Sequence, residues 1–107
     1  MTPRDVFEKT LHLTDSEVIE ALSNACTPLH LAAGDFLIRE GETPTVVPFL
    51  LKGIVRGFLF DVNGREITDC FAVQPGIPVM TSADLQAPSP LSMDALVPSD
   101  FLTIPIR

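Results

Sequence analysis

The sequence predicts a mainly β fold, an all-β sandwich or roll carried behind a short helical lead, and three observations predict it. All six glycines lie between Gly34 and Gly76, among short apolar runs separated by turn signals. No helical apolar period intervenes between those turns. Residues 1–28, by contrast, hold capping residues and apolar side chains at helical spacing.

The helical lead opens on Thr2-Pro3, an N-cap followed by a first-turn proline, with Val6, Phe7 and Leu11 giving a short apolar face. A second helix is expected from the capping box Thr14-Asp15-Ser16-Glu17. There Thr14 can accept from the Glu17 backbone N–H while Glu17 reaches back. Val18, Ile19 and Leu22 form its apolar stripe, and Ser23-Asn24 with Pro28 end it.

From Leu29 onward the runs are short. Ala33-Gly34-Asp35 turns into Phe36–Arg39, and Glu40-Gly41-Glu42 turns again before Val46–Leu51. Pro48 interrupts that run, and a proline is tolerated in a sheet only at an edge or a bulge. Gly53–Phe60 follows, then Asp61-Val62-Asn63-Gly64, the clearest hairpin signal in the chain, with Glu66–Val73 as the returning strand. Gln74–Pro90 is irregular and rich in proline, with a small helix expected near Ser82–Gln86 capped by Ser82. Leu91–Leu96 and Phe101–Ile106 complete the strands, either side of a turn at Pro98-Ser99-Asp100.

Composition narrows the function. A chain of 107 residues is one domain's worth and can bury a real core without disulfides or metal. Fourteen Asp and Glu against seven Lys and Arg give a net charge of −7, which repels phosphate backbones, so these residues are poor candidates for binding nucleic acid. Cys26 and Cys70 form no C-x-x-C pair and read as reduced thiols. His12 and His30 make no H-x-H pair, so no metal is expected, and neither has a Ser or Cys partner for nucleophilic catalysis. No enzymatic activity and no cofactor are expected. With no long apolar run and no signal peptide, the expectation is a cytoplasmic protein without membrane contact.

The order of motifs carries a resemblance. Gly34-Asp35-x-Leu37-x-x-x-Gly41-Glu42 is followed by Phe49-Leu50-Leu51-Lys52-Gly53-x-Val55-Arg56 and then by Asp61-x-Asn63-Gly64-Arg65-Glu66-Ile67. Pro75-Gly76, a loop, Ala87-Pro88-Ser89-Pro90-Leu91-Ser92-Met93-Asp94-Ala95-Leu96 and a strand ending Ile104-Pro105 complete it. In this order they resemble the cyclic-nucleotide-binding-type β-roll that serves as sensor domain in the Crp/Fnr transcription regulators. The resemblance spans roughly residues 29–107. It implies a double-stranded antiparallel β-helix, a cupin-like jelly roll, with residues 1–28 as its helical lead. It also implies an N-terminal effector-sensing domain of a regulator that is a homodimer at full length. The dimer helix and the helix-turn-helix part that would contact DNA are expected to be absent from this chain.

One departure from the family pattern matters most. Nucleotide-responsive members carry a Gly-Glu pair and, a few residues on, an Arg followed by Ser or Thr and Ala, which together hold the ribose and the cyclic phosphate. Here those places fall near Met80-Thr81 and Ser89-Pro90-Leu91, and no Lys or Arg lies between Arg65 and Arg107. Tight binding of cyclic AMP or cyclic GMP is therefore not expected. Two readings of the loop stand: a degenerate pocket for a less charged, unidentified small-molecule effector, lined by Met80, Thr81, Ser82, Leu85 and Ser89, or an empty closure of the roll, which the prolines favour. At the level of the whole chain, the alternative to a regulator's sensor is a stand-alone interaction or scaffold module that uses the roll without a ligand.

Overall fold

A computed structural model describes residues 2–81 and 84–106. The helical lead comprises α1 (Pro3–Asp5), a wide π-turn (Val6–Thr10) and α2 (Ser16–Ala25). Seven strands follow: β1 (Thr27–Leu31), β2 (Phe36–Ile38), β3 (Val46–Lys52), β4 (Val55–Phe60), β5 (Glu66–Ala72), β6 (Ser92–Ala95) and β7 (Ser99–Pro105). They form two antiparallel sheets, one in the order β1-β7-β3 and the other β2-β6-β4-β5. This is the mainly β roll with N-terminal helices that the turn spacing and the resemblance predict.

Three layers result, and alternation along the strands explains them. On β7, Phe101 points between the sheets and joins Leu31, Leu50, Val55, Met93 and Ala95 in the main core. Its neighbour Leu102 points the other way and meets Val6, Phe7, Ile19 and Phe49 under the helical lead. Phe7 and Phe49 pack edge to face, with ring centroids 5.8 Å apart. The π-turn places the consecutive residues Val6 and Phe7 both fully inside this second core.

The first helix starts where the sequence places it. Thr2 Oγ1 accepts from the Asp5 N–H at 3.2 Å, and Asp5 Oδ2 accepts from the Thr2 N–H at 3.1 Å. The Thr2 N–H, and after it the Thr2 hydroxyl, hold the Asp5 carboxyl below its ordinary value of 3.8, with Lys9 assisting. A lowered folded value means the contribution is present above 3.8 and lost as pH falls through the folded value. Amide protection factors at Thr2 and Asp5 are therefore expected to fall on acidification before those of the sheet amides do. Parallel loss at both places would contradict this.

The second helix starts one residue later than expected. Asp15, not Thr14, is the N-cap: its Oδ1 accepts from the N–H groups of Glu17 at 2.9 Å and Val18 at 3.2 Å. A carboxylate is the stronger acceptor at a helix N-terminus, which explains the choice. Val18 consequently faces out at 44% exposure, while Ile19 is buried. Pro28 does not end the helix, which stops at Ala25, but lies inside the edge strand β1.

Pro48 conforms to the rule for prolines, since β3 is the other edge of its sheet. That edge is partly covered. Val79 N–H donates to the Pro48 carbonyl at 2.8 Å, Leu50 N–H donates to Ile77 at 3.0 Å, and Gly76 N–H donates to Leu50. The first part of the irregular loop thus runs as a short pseudo-strand beside β3, with Pro78 opposite Phe49.

The hairpin between β4 and β5 forms as predicted, by a somewhat different route. Only Gly64 takes a positive φ, +79°. Asp61 does the remaining work, its Oδ1 accepting from the N–H groups of Asn63 at 2.8 Å and Arg65 at 2.9 Å. The expected helix near Ser82–Gln86 lies partly outside the described residues. Asp84–Ala87 is a turn, in which Asp84 Oδ1 accepts from the Gln86 N–H and the Asp84 carbonyl from Ala87. No helix among the described residues is long and apolar enough to cross a membrane.

Candidate functional site

The loop after β5 meets the segment between β2 and β3, and a cleft of about 270 Å³ opens where they face one another. One wall is Leu37, Ile38 and Glu42–Val46 with Pro48, and the other is Val79, Met80 and Thr81. Met80 and Thr81, both expected in a pocket, do line it. Leu85 is half-buried in the Asp84–Ala87 turn and is not part of this wall. Ser82 lies outside the described residues.

Ser89 acts as a fastener. It is almost fully buried. Its N–H donates to the Glu42 carbonyl and its own carbonyl accepts from the Gly41 N–H, each at 2.8 Å. The loop is thereby stapled to the turn that leads into the opposite wall. The Ser89 hydroxyl contacts both the Leu91 carbonyl and, at 2.7 Å, the Thr81 hydroxyl. A carbonyl cannot donate, so the serine proton goes to Leu91 and Thr81 supplies the proton shared between the hydroxyls. Thr81 then keeps acceptor lone pairs for anything in the cleft.

Glu42 is the residue that sequence reasoning missed. One oxygen of its carboxylate accepts from the Arg39 N–H at 2.6 Å, which fixes the side chain at the cleft. The signal in the sequence was a turn, Glu40-Gly41-Glu42, and nothing local shows that the turn faces a loop some forty residues later. No Lys, Arg or His lines the cleft among the described residues. The nearby Arg39 is stacked on Phe36, its guanidinium carbon 3.8 Å from the ring centroid. A phosphate in the cleft would meet a carboxylate and no counter-charge.

Arg56 and Lys52, two cations of the motif that carries the resemblance, sit elsewhere. Arg56 lies on the outer face of the four-stranded sheet and grips Asp94 with two hydrogen bonds, of 3.2 and 3.0 Å, and Glu66 at 2.8 Å. The hydrogen bond to Asp94 raises the guanidinium pKa, burial opposes the rise and Glu66 adds to it, so the charge is permanent. Lys52 is exposed at the end of β3 opposite Asp100, whose carboxylate is 2.7 Å from His30 Nδ1. His12 is exposed and holds a positive φ of 56°. Among the described residues no three His, Cys, Asp or Glu side chains converge as a metal site would need. Burial raises both thiols above the ordinary value of 9.0, helped at Cys70 by Asp69, so little thiolate exists at neutral pH.

No family model and no curated protein matches the sequence. Solved structures do match the fold. An N-terminal domain of a transcriptional regulator from Streptomyces coelicolor aligns with a TM-score of 0.79 at 22% identity, over 94% of this chain and 72% of that one. The catabolite activator protein of Thermus thermophilus aligns at 0.74 and 21%, over 97% of this chain and 46% of its own. A cyclic nucleotide-binding-like protein from Brucella abortus aligns at 0.77 and 18%, over 96% and 90%. The chain thus spans about half the length of the Thermus protein. Together with the layered sheets, these alignments show that the chain has the β-roll fold of cyclic-nucleotide-binding-type domains.

Proposed function

We propose that the chain is the effector-sensing domain of a Crp/Fnr-like transcription regulator whose effector carries no phosphate. The observation that carries this reading is a cleft at the loop, walled by Met80, Thr81 and Glu42 and lined by no cation among the described residues. A further neighbour of the same fold supports it: the regulatory subunit of a cAMP-independent protein kinase A from Trypanosoma cruzi, bound to guanosine, aligns with a TM-score of 0.77 at 15% identity over 96% of this chain. Guanosine is a nucleoside and has no phosphate. The mechanism is coupling: a ligand that binds one arrangement of loop and roll better than another shifts their equilibrium, and with it whatever packs on the roll. DNA contact through a separate domain, a homodimer at full length, a cytoplasmic location and the absence of any catalysed reaction belong to the same proposal.

Calorimetry with cyclic AMP is expected to show no binding tighter than about 10 μM. Tighter binding would remove the phosphate-free part of the reading. The regulator itself is tested by the reading frame past Arg107. Continuation into about 80–100 residues of helical, basic sequence supports it. A stop codon there would favour the second reading, a stand-alone interaction module. One observation speaks for that module: the alignment covers 90% of the Brucella chain, so that solved chain holds little beside this fold.

A further inference from the structure

Resting on the reading of the chain as an effector-sensing domain, we propose that the cleft between Leu37–Pro48 and Val79–Thr81 takes a small, flat, largely apolar amine in its protonated form, with Glu42 as counter-ion.

Size and lining set the first half of this. A volume of about 270 Å³ suits a compact bicyclic molecule rather than a nucleotide with its ribose phosphate extended. Leu37, Ile38, Val46, Pro48, Val79 and Met80 supply an apolar lining, and a methionine adapts its shape to an aromatic ring. Burial of such a ring against this wall provides the affinity.

Polarity sets the second half. The polar side chains at the cleft can all accept: the Glu42 carboxylate, the hydroxyls of Thr43 and Thr45, and the Thr81 hydroxyl, whose proton is engaged with Ser89. Complementarity then favours a ligand that donates, and the exposed Glu42 carboxylate beside the apolar lining favours one that is also positive. The carboxylate is already positioned. Glu42 is held through its side chain by the Arg39 N–H and through its carbonyl by the Ser89 N–H, so little ordering is left for binding to impose. A net charge of −7 adds an attractive field for a cation and a repulsive one for an anion.

Three molecules that share one ring test the idea: tryptamine (cationic), indole (neutral) and indole-3-acetate (anionic), titrated calorimetrically at low ionic strength. Tryptamine is expected to bind about tenfold tighter than indole, with indole-3-acetate weakest. Glu42→Gln keeps an acceptor for the Arg39 N–H and so keeps the fold, and it is expected to bring tryptamine to within about twofold of indole. Thr45→Trp, at an exposed position of the wall, is expected to abolish both by filling the mouth. No binding of any of the three up to about 1 mM overturns the proposal. So does tryptamine binding that survives both substitutions. Equal binding of indole-3-acetate overturns the charge preference while leaving a sensing role intact, and the sensing role fails instead if the reading frame stops after Arg107.

Discussion

Gly53→Ala is expected to destabilise the domain by about 2–5 kcal/mol, measured by urea unfolding, a large share of the roughly 5–15 kcal/mol that holds a typical domain together. Two independent costs combine at this position between β3 and β4. The φ of +124° is one that an L-residue adopts only at a penalty of about 1–2 kcal/mol. An added Cβ would also stand 2.8 Å from the Ser99 Cα, against backbone that cannot give way cheaply. Such overpacking costs about 1–3 kcal/mol more. Ser99 is fully buried and accepts from the Ile54 N–H while donating to the Val97 carbonyl, so displacing it disturbs both turns that meet there. Gly34→Ala is the control: its φ is also positive, +90°, but nothing lies within 4 Å of an added Cβ. Only the backbone penalty of about 1–2 kcal/mol should appear. Equal losses in the two variants would refute the steric account.

The second expected result concerns the clamp on the outer face of the four-stranded sheet. Arg56→Ala should cost about 2 kcal/mol, because it leaves the carboxylate of Asp94, a buried residue, without its two-pronged partner. The value lies below that of a fully buried pair, since the side chains of Arg56 and Asp94 retain 18% and 12% exposure. Glu66 is 45% exposed, so its share is expected to stay below about 1 kcal/mol. A double-mutant cycle separates the two: coupling of Arg56 to Asp94 should exceed coupling of Arg56 to Glu66. Arg56→Lys should restore little, as an ammonium cannot reproduce the fork or the stacking over Phe58 at 4.2 Å. A coupling near zero between Arg56 and Asp94 would show that the grip adds nothing to stability.

Features set by chemistry within a few residues were legible in the sequence. Asp61–Gly64 turns because the aspartate oxygen and one glycine suffice for a tight reversal, and both are visible side by side. Pro48 announced an edge because a missing N–H is a local fact. The errors within a few residues came from competing neighbours, as when Asp15 outcompeted Thr14 for the helix cap.

What stayed hidden was long-range. Gly76–Val79 looked like free loop because its partner, β3, lies nearly thirty residues earlier and its pairing follows no side-chain pattern. The grip of Arg56 on Asp94 joins residues 38 positions apart, and nothing local in the sequence pairs them. Of the residues that line the cleft, the resemblance pointed to Met80 and Thr81, whereas Glu42 became visible only once Ser89 was seen to hold its turn in place. The opposite wall of the cleft is a consequence of topology, which no local signal encodes.

The central position of β7 has a consequence for the order in which the molecule can form. Its two neighbours, β1 and β3, pair with it and not with each other, and Thr27 waits for Thr103. During synthesis the helical lead, β1 and β3 emerge with no sheet to join until β7 has left the ribosome. Phe101 and Leu102 add their side chains to the two apolar clusters only at that point. Closure of such distant pairings places the rate of folding in the slow, millisecond-to-second range of sheet proteins, with the final strand acting as the keystone that lets both cores condense together.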